Sequence, residues 1–110
     1  MDAASARFRL VSMDEAHEEA VRIRRRLEAR RDPLRLKEHL FWLMWHHWLR
    51  ADLEECVKTC DAGIALSAQL GSPPVQHPSI KGIALTDLGR FDEAWASFEA
   101  DPAVLEVRNG

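Results

Sequence analysis

Apolar positions along this chain recur at steps of three and four, and the recurrence is interrupted four times by turn-forming residues. The first stripe runs through Ala16, Ala20, Ile23 and Leu27, one face of a helix at ~100° per residue. Ser12 followed by Glu15 forms a capping-box pattern, and Asp32-Pro33 stops the stripe, which predicts a helix over residues 13 to 31. Asp14, Glu15, Glu18 and Glu19 crowd its start and six arginines its second half. That order complements the helix dipole and allows Glu18–Arg22 pairing four residues apart.

The second stretch, residues 34 to 50, is apolar around most of its circumference, so it should be contacted from more than one side. Three sectors separate on the helical wheel. Leu36, Leu40, Leu43, Met44 and His47 form one arc, read as core. Glu38, Phe41, Trp45, Trp48 and Leu49 form the next, a surface suited to binding, and His39, Trp42 and His46 form the third. A third helix is predicted from about 53 to 70 on Leu53, Cys56, Val57, Cys60, Ile64 and Leu70, and Gly71-Ser72-Pro73-Pro74 breaks it. A fourth is predicted over 77 to 88 and a fifth over 91 to 100, the latter on Phe91, Ala94, Trp95 and Phe98. Gly89 supplies the turn between them, and Gly82 and Ala94 fall where those two helices must approach closely. No segment alternates strictly, so the fold expected is all-α, a single domain of about five helices.

Composition changes this picture little. The 110 residues are 46% hydrophobic and 30% charged with a net charge of −3, which fits one small soluble domain and argues against bulk attraction to nucleic acid. No apolar run approaches the ~18 residues of a membrane span, and the N-terminal residues contain no apolar core of a secretion signal. Cys56 and Cys60 sit four apart inside a helical pattern, where a disulfide is geometrically poor; reduced thiols suit a cytoplasmic setting.

Candidate chemistry is sparse. His39, His46, His47, Cys56 and Cys60 invite a metal reading, but His39 and His46 are two turns, ~10 Å, apart along one helix, and the cysteines fall on the core stripe. No metal site is expected among them. Arg22, Arg26 and Arg30 share a stripe that could touch phosphate, but glutamates precede them at pairing distance, so a solvated helix end is the expectation. There is no Gly-rich phosphate loop, nucleophile elbow or His-Glu-x-x-His, and no enzymatic activity is expected.

Three segments repeat: the patterns ending at Ala20, Cys56 and Ala94 are spaced by 36 and then 38 residues, close to a two-helix solenoid unit. With His39-Leu40-Phe41-Trp42-Leu43, Asp52-Leu53-Glu54-Glu55-Cys56 and Gln69-Leu70-Gly71-Ser72-Pro73, residues 34 to 102 resemble tetratricopeptide repeats. They are most similar to those in the helical arrays of large bacterial ATPase-type regulators. Met44 stands where that family has Gly or Ala, Ala51 where it has the turn Gly, and Lys81 where Leu is usual.

The resemblance implies a short right-handed superhelix: a lone second helix over 13–31, repeats over 34–70 and 75–102, and a tail over 103–110. It implies repeat packing through Ala20, Met44, Cys56, Gly82, Gly89, Phe91, Ala94 and Phe98. It further implies a concave groove for a partner's peptide or helix, lined by Glu38, Phe41, Trp45, Trp48 and Leu49 and by Gln76, Ser79, Ile83, Thr86 and Asp87. The function expected is therefore a protein-interaction scaffold without a cofactor. The alternatives are a self-associating piece of a longer array, with Trp95 and Phe98 covered by Val104, Leu105 and Val107 or by a neighbour, and a nucleic-acid-binding helical domain.

Overall fold

Among the described residues, four of the five helices end on one device, a residue in the left-handed conformation just past the last turn. The computed structural model describes residues 13–74 and 76–104. Its helices are α1 (Met13–Arg30), α2 (Pro33–Leu49), α3 (Leu53–Gln69), α4 (His77–Asp87) and α5 (Phe91–Glu99), and residues 102–104 begin a further helical turn. The all-α expectation holds, and each helix begins and ends within a residue or two of its predicted bounds. Ser12, Phe8, Leu10, Val11, Leu105 and Val107 lie outside the described residues.

After α1, α2, α3 and α4 the left-handed position is filled by Arg31, Ala51, Gly71 and Gly89, with φ of 53°, 60°, 67° and 79°. At each end the two following amides fold back onto the last turn. Asp52 N donates to His47 O at 2.9 Å and Ala51 N to Trp48 O at 3.0 Å; Arg90 N and Gly89 N do the same to Leu85 O and Thr86 O at 2.8 and 3.0 Å. These bonds satisfy carbonyls that a helix end leaves unpaired. Ala51 carries a Cβ that this conformation penalises by ~1 kcal/mol or more, and its side chain is exposed. Ala51→Gly is expected to stabilise the fold by about 1 kcal/mol, raising Tm by ~4–8 °C. An unchanged or lowered Tm in a thermal melt would show that this turn stores no strain.

Packing is sequential. Each helix lies against the next, α2 also meets α4, and α1 packs on α2 alone among the described helices. The resulting body measures 42 × 31 × 24 Å. The core runs through Met44, Cys56, Val57, Cys60, Ile80, Ala84, Leu85 and Ala94, and Leu40 and Leu43 of α2 are also buried. The arc of α2 read as core is buried at Leu40, Leu43, Met44 and His47. Cys56 and Cys60 are free and buried; the Cys56 thiol donates to Met44 O, and its sulfur together with burial pushes the Cys60 thiol up. Lys81, in place of an apolar residue, reaches Asp61 across α3 and α4 at 2.6 Å.

Glycines mark the tightest contacts. A Cβ on Gly82 would come within 2.7 Å of the Phe98 ring, so α4 and α5 meet where the sequence placed a close approach. Gly63 on α3 is tighter: its Cβ would lie 2.4 Å from the His77 ring. Phe91, expected to pack between repeats, stands 66% exposed, as does Trp95; the stripe of α5 is buried only at Ala94 and partly at Phe98. With α5 last in the described order, its far side meets no further helix.

Candidate functional site

A concave feature with a largely apolar wall forms where the N-terminal half of α2 faces the start of α4. It is an open cleft of about 680 Å³ lined by Leu34, Lys37, Glu38, Phe41, Trp42 and His77. Asp32 and Pro33 fix where α2 begins: the Asp32 carboxylate accepts from Arg35 N at 3.3 Å, and Pro supplies a first-turn φ without wasting a donor. Leu34, Lys37, Glu38, Phe41 and Trp42 then follow at steps of one, three and four, which line one side of α2. Phe41 is half-buried against the core, whereas Leu34 and Trp42 are 68% and 52% exposed. The Phe41 and Trp42 rings meet edge to face with centroids 5.4 Å apart.

The cleft floor is His77, 1% exposed in the first turn of α4. It lies over Gly63 and meets the Phe41 ring edge-on at 6.5 Å. Burial, with the Lys37 charge adding to it, pushes its imidazole down to about 4, so the ring is neutral at pH 7. Its Nδ1 is buried without a hydrogen-bond partner in the protein. Lys37 Nζ donates to Ser72 Oγ at 2.7 Å, tying the cleft rim to the loop after α3. Gln76, just before His77, takes φ 61°.

The ten residues expected to line a groove divide. Glu38 and Phe41 are in the cleft. Trp45 and Trp48 are half-buried against the core, their rings edge to face at 6.0 Å, and Leu49 is 59% exposed at the end of α2. Gln76, just before α4, and Ile83, Thr86 and Asp87 on it are exposed; Thr86 Oγ1 donates back to Gly82 O at 2.8 Å. Ser79 is half-buried and donates to the carboxylate of Asp101, itself buried and holding Ala103 N at 2.9 Å. Leu34, Lys37, Trp42 and His77 were not singled out for this role. Two signals pointed toward His77: a Gly in mid-helix at position 63, which costs a helix ~1 kcal/mol unless something packs there, and a His directly before Pro78 at a helix start.

A second polar cluster lies where α1 meets α2 and the turn before α3. His39 Nε2–H donates to Ala20 O at 2.7 Å. Arg50 spans the junction, reaching Asp14 Oδ1 at 2.5 Å and Asp52 Oδ2 at 3.2 Å. The His17 and His47 rings meet at 4.9 Å, 70° apart. Burial, reinforced by His17, pushes the His47 imidazole down to about 4; Glu55, Asp52 and Arg24 act on it more weakly. Arg22, Arg26 and Arg30 lie exposed along α1.

No protein-family model, no curated protein and no solved structure matches the chain. Among the described residues no helix is long and apolar enough to cross a membrane.

Proposed function

We propose that the chain is a protein-interaction module, built of tetratricopeptide-like helical hairpins, that receives a helix or peptide of a partner protein in the cleft between α2 and α4. The observation that carries this is the cleft itself. It is apolar, large enough for a bulky side chain, floored by a rigid neutral His77 and flanked by an exposed Trp42. Aromatic anchors at the centre of a desolvated pocket dominate interface energetics. Glu38, exposed on the rim, selects a basic residue next to the anchor, and Asp87 on α4 does the same further along. The partner segment is therefore an apolar side chain followed by Lys or Arg. Binding works by shape and apolar complementarity, as a scaffold rather than an enzyme.

The repeat register supports the reading. Ala20, Cys56 and Ala94, spaced by 36 and 38 residues, are 7%, 0% and 3% exposed, equivalent positions on three successive second helices. Contact between α2 and α4, the first helices of the two hairpins, suits a right-handed stack. The test is selection of peptides from a random library on the wild-type chain, followed by affinity measurement on variants. Trp42→Ala is expected to weaken the selected peptides at least about tenfold, and Glu38→Lys to remove the preference for a basic residue. Peptides that bind both variants as tightly as wild type would place the site elsewhere.

Phe91 and Trp95, one turn apart and each 66% exposed, favour a second reading in which α5 docks on another copy or a longer array. A monomer by light scattering at high concentration, unchanged by Trp95→Glu, would exclude docking between copies.

A further inference from the structure

His17, His47 and Asp52 come from three different elements, α1, α2 and the residue before α3, yet each offers a ligand atom within 4.8 Å of the other two. Nothing in the local pattern brings them together, since His17 and His47 are 30 residues apart. The Nδ1 atoms of both rings are buried without a hydrogen-bond partner in the protein. Buried polar atoms in a folded chain are nearly always satisfied, so two orphaned nitrogens on rings whose centroids are 4.9 Å apart call for an explanation. Asp52 adds a third anomaly. It occupies the N-cap position of α3, where an Asp side chain ordinarily accepts from the helix's own amides, but it makes no such bond. Its carboxylate is turned to Arg50 instead, with Oδ2 held at 3.2 Å.

We propose that His17, His47 and Asp52 form a binding site for one divalent first-row transition cation of the zinc class. Two imidazole nitrogens and one carboxylate are the donor set of such ions; Mg²⁺ and Ca²⁺ call for oxygen donors throughout. A tetrahedral site with bonds of ~2.0–2.1 Å brings ligand atoms to roughly 3.4 Å of one another. The three therefore close by a little over an ångström, which side-chain torsions supply because His17 and Asp52 are only half-buried. Arg50 holds one oxygen of Asp52 and is itself anchored by Asp14, the kind of outer contact that orients a ligating carboxylate. Three protein ligands leave one position of the ion open to water or to a group from a partner.

The ion's structural effect follows from the contact map. Because α1 packs on α2 alone among the described helices, the ion acts as a clip that fastens α1 to α2 and to the turn before α3.

The probe is Co²⁺, titrated into the untagged chain and followed by its visible absorption, with Zn²⁺ as competitor. The expected result is saturation at one equivalent with the intense absorption of a tetrahedral ion, bleached by Zn²⁺. A rise in Tm of about 5 °C or more with excess Zn²⁺ is also expected. His17→Ala, checked for an unchanged helical spectrum, removes both effects, and Asp52→Asn weakens binding at least tenfold. His17→Cys keeps one-equivalent binding and adds a sulfur-to-cobalt charge-transfer band. Absence of saturable one-to-one binding to the wild-type chain overturns the proposal, as does binding that survives His17→Ala unchanged.

Discussion

Lowering the pH from 7 toward 4 is expected to remove most of the stability of this fold, and the loss is expected to begin near pH 6.5. His47 and His77 both have imidazoles pushed from 6.5 down to about 4, chiefly by burial. In the unfolded chain both take up a proton as the pH falls through 6.5, whereas in the folded chain they remain neutral until about 4. Between those values the unfolded state binds more protons, so stability falls with pH; below 4 the folded rings also protonate and the loss levels off. At 1.36 kcal/mol per unit, each ring contributes on the order of 3 kcal/mol. The two together rival the ~5–15 kcal/mol that holds a typical domain.

The surroundings do not reverse this. Lys37 opposes protonation of His77, and for His47 the opposing charges of His17 and Arg24 are set against weaker help from Glu55 and Asp52. His39 and His46, also lowered mainly by burial, add to the slope in the same direction. Glu93, held down by Arg90, contributes stability that is lost only as the pH falls below its ordinary 4.5, so the loss between pH 6.5 and 5 belongs to the histidines. Urea unfolding at a series of pH values should give a slope approaching ~2.7 kcal/mol per pH unit for two protons, reduced by about half in His77→Gln. A stability flat from pH 7 to 4.5 would contradict the burial of these rings.

Gly63→Ala is expected to destabilise the fold by about 2 kcal/mol, although the same change in a helix ordinarily stabilises by ~1 kcal/mol. The added Cβ would stand 2.4 Å from the ring of His77, which is 1% exposed and packed edge-on against Phe41. Overpacking of this kind costs ~1–3 kcal/mol or more, and here it outweighs the propensity gain. Gly82→Ala is the internal comparison. Its Cβ would meet Phe98 at 2.7 Å, but Phe98 is only half-buried and can swing aside, so a smaller loss is expected. Combining Gly63→Ala with His77→Ala should cost less than the two single changes added together, because the second relieves the overlap created by the first. Strict additivity in denaturant melts would mean that the two sites do not touch.

Gly63 also shows where sequence reading stops. A glycine inside an apolar helical stripe signals a close neighbour, but not which one. His77, fourteen residues on and next to a proline, reads as the first residue of a helix, and its contact with Gly63 emerges only when α4 is laid across α3. The wheel of α2 was similarly informative up to a point. It isolated the core arc correctly, with Leu40, Leu43, Met44 and His47 buried. It put Trp45 and Trp48 on the arc suited to binding and Trp42 on another, whereas Trp45 and Trp48 are half-covered by the core and Trp42 lines the cleft at 52% exposure. All three are equally apolar, and only the positions of α3 and α4 decide which of them is covered. Phe91 has the same history: its stripe on α5 is regular, but it is buried only at Ala94 and partly at Phe98, and Phe91 stands 66% exposed.

Helix existence, length and ends were legible in the sequence, because they rest on local terms: a 3.6-residue period, Asp-Pro at a start, and turn-forming residues such as Gly71 and Gly89 at the stops. Ala20, Cys56 and Ala94, which the sequence pattern set 36 and 38 residues apart, are all buried. Tertiary structure decided what meets across helices. It set His77 beneath the cleft, chose Trp42 over Trp45 and Trp48, and brought His17, His47 and Asp52 within 4.8 Å. Those juxtapositions depend on how far each helix is rotated and offset against its neighbour, and side-chain packing at every contact sets that rotation; periodicity carries no record of it.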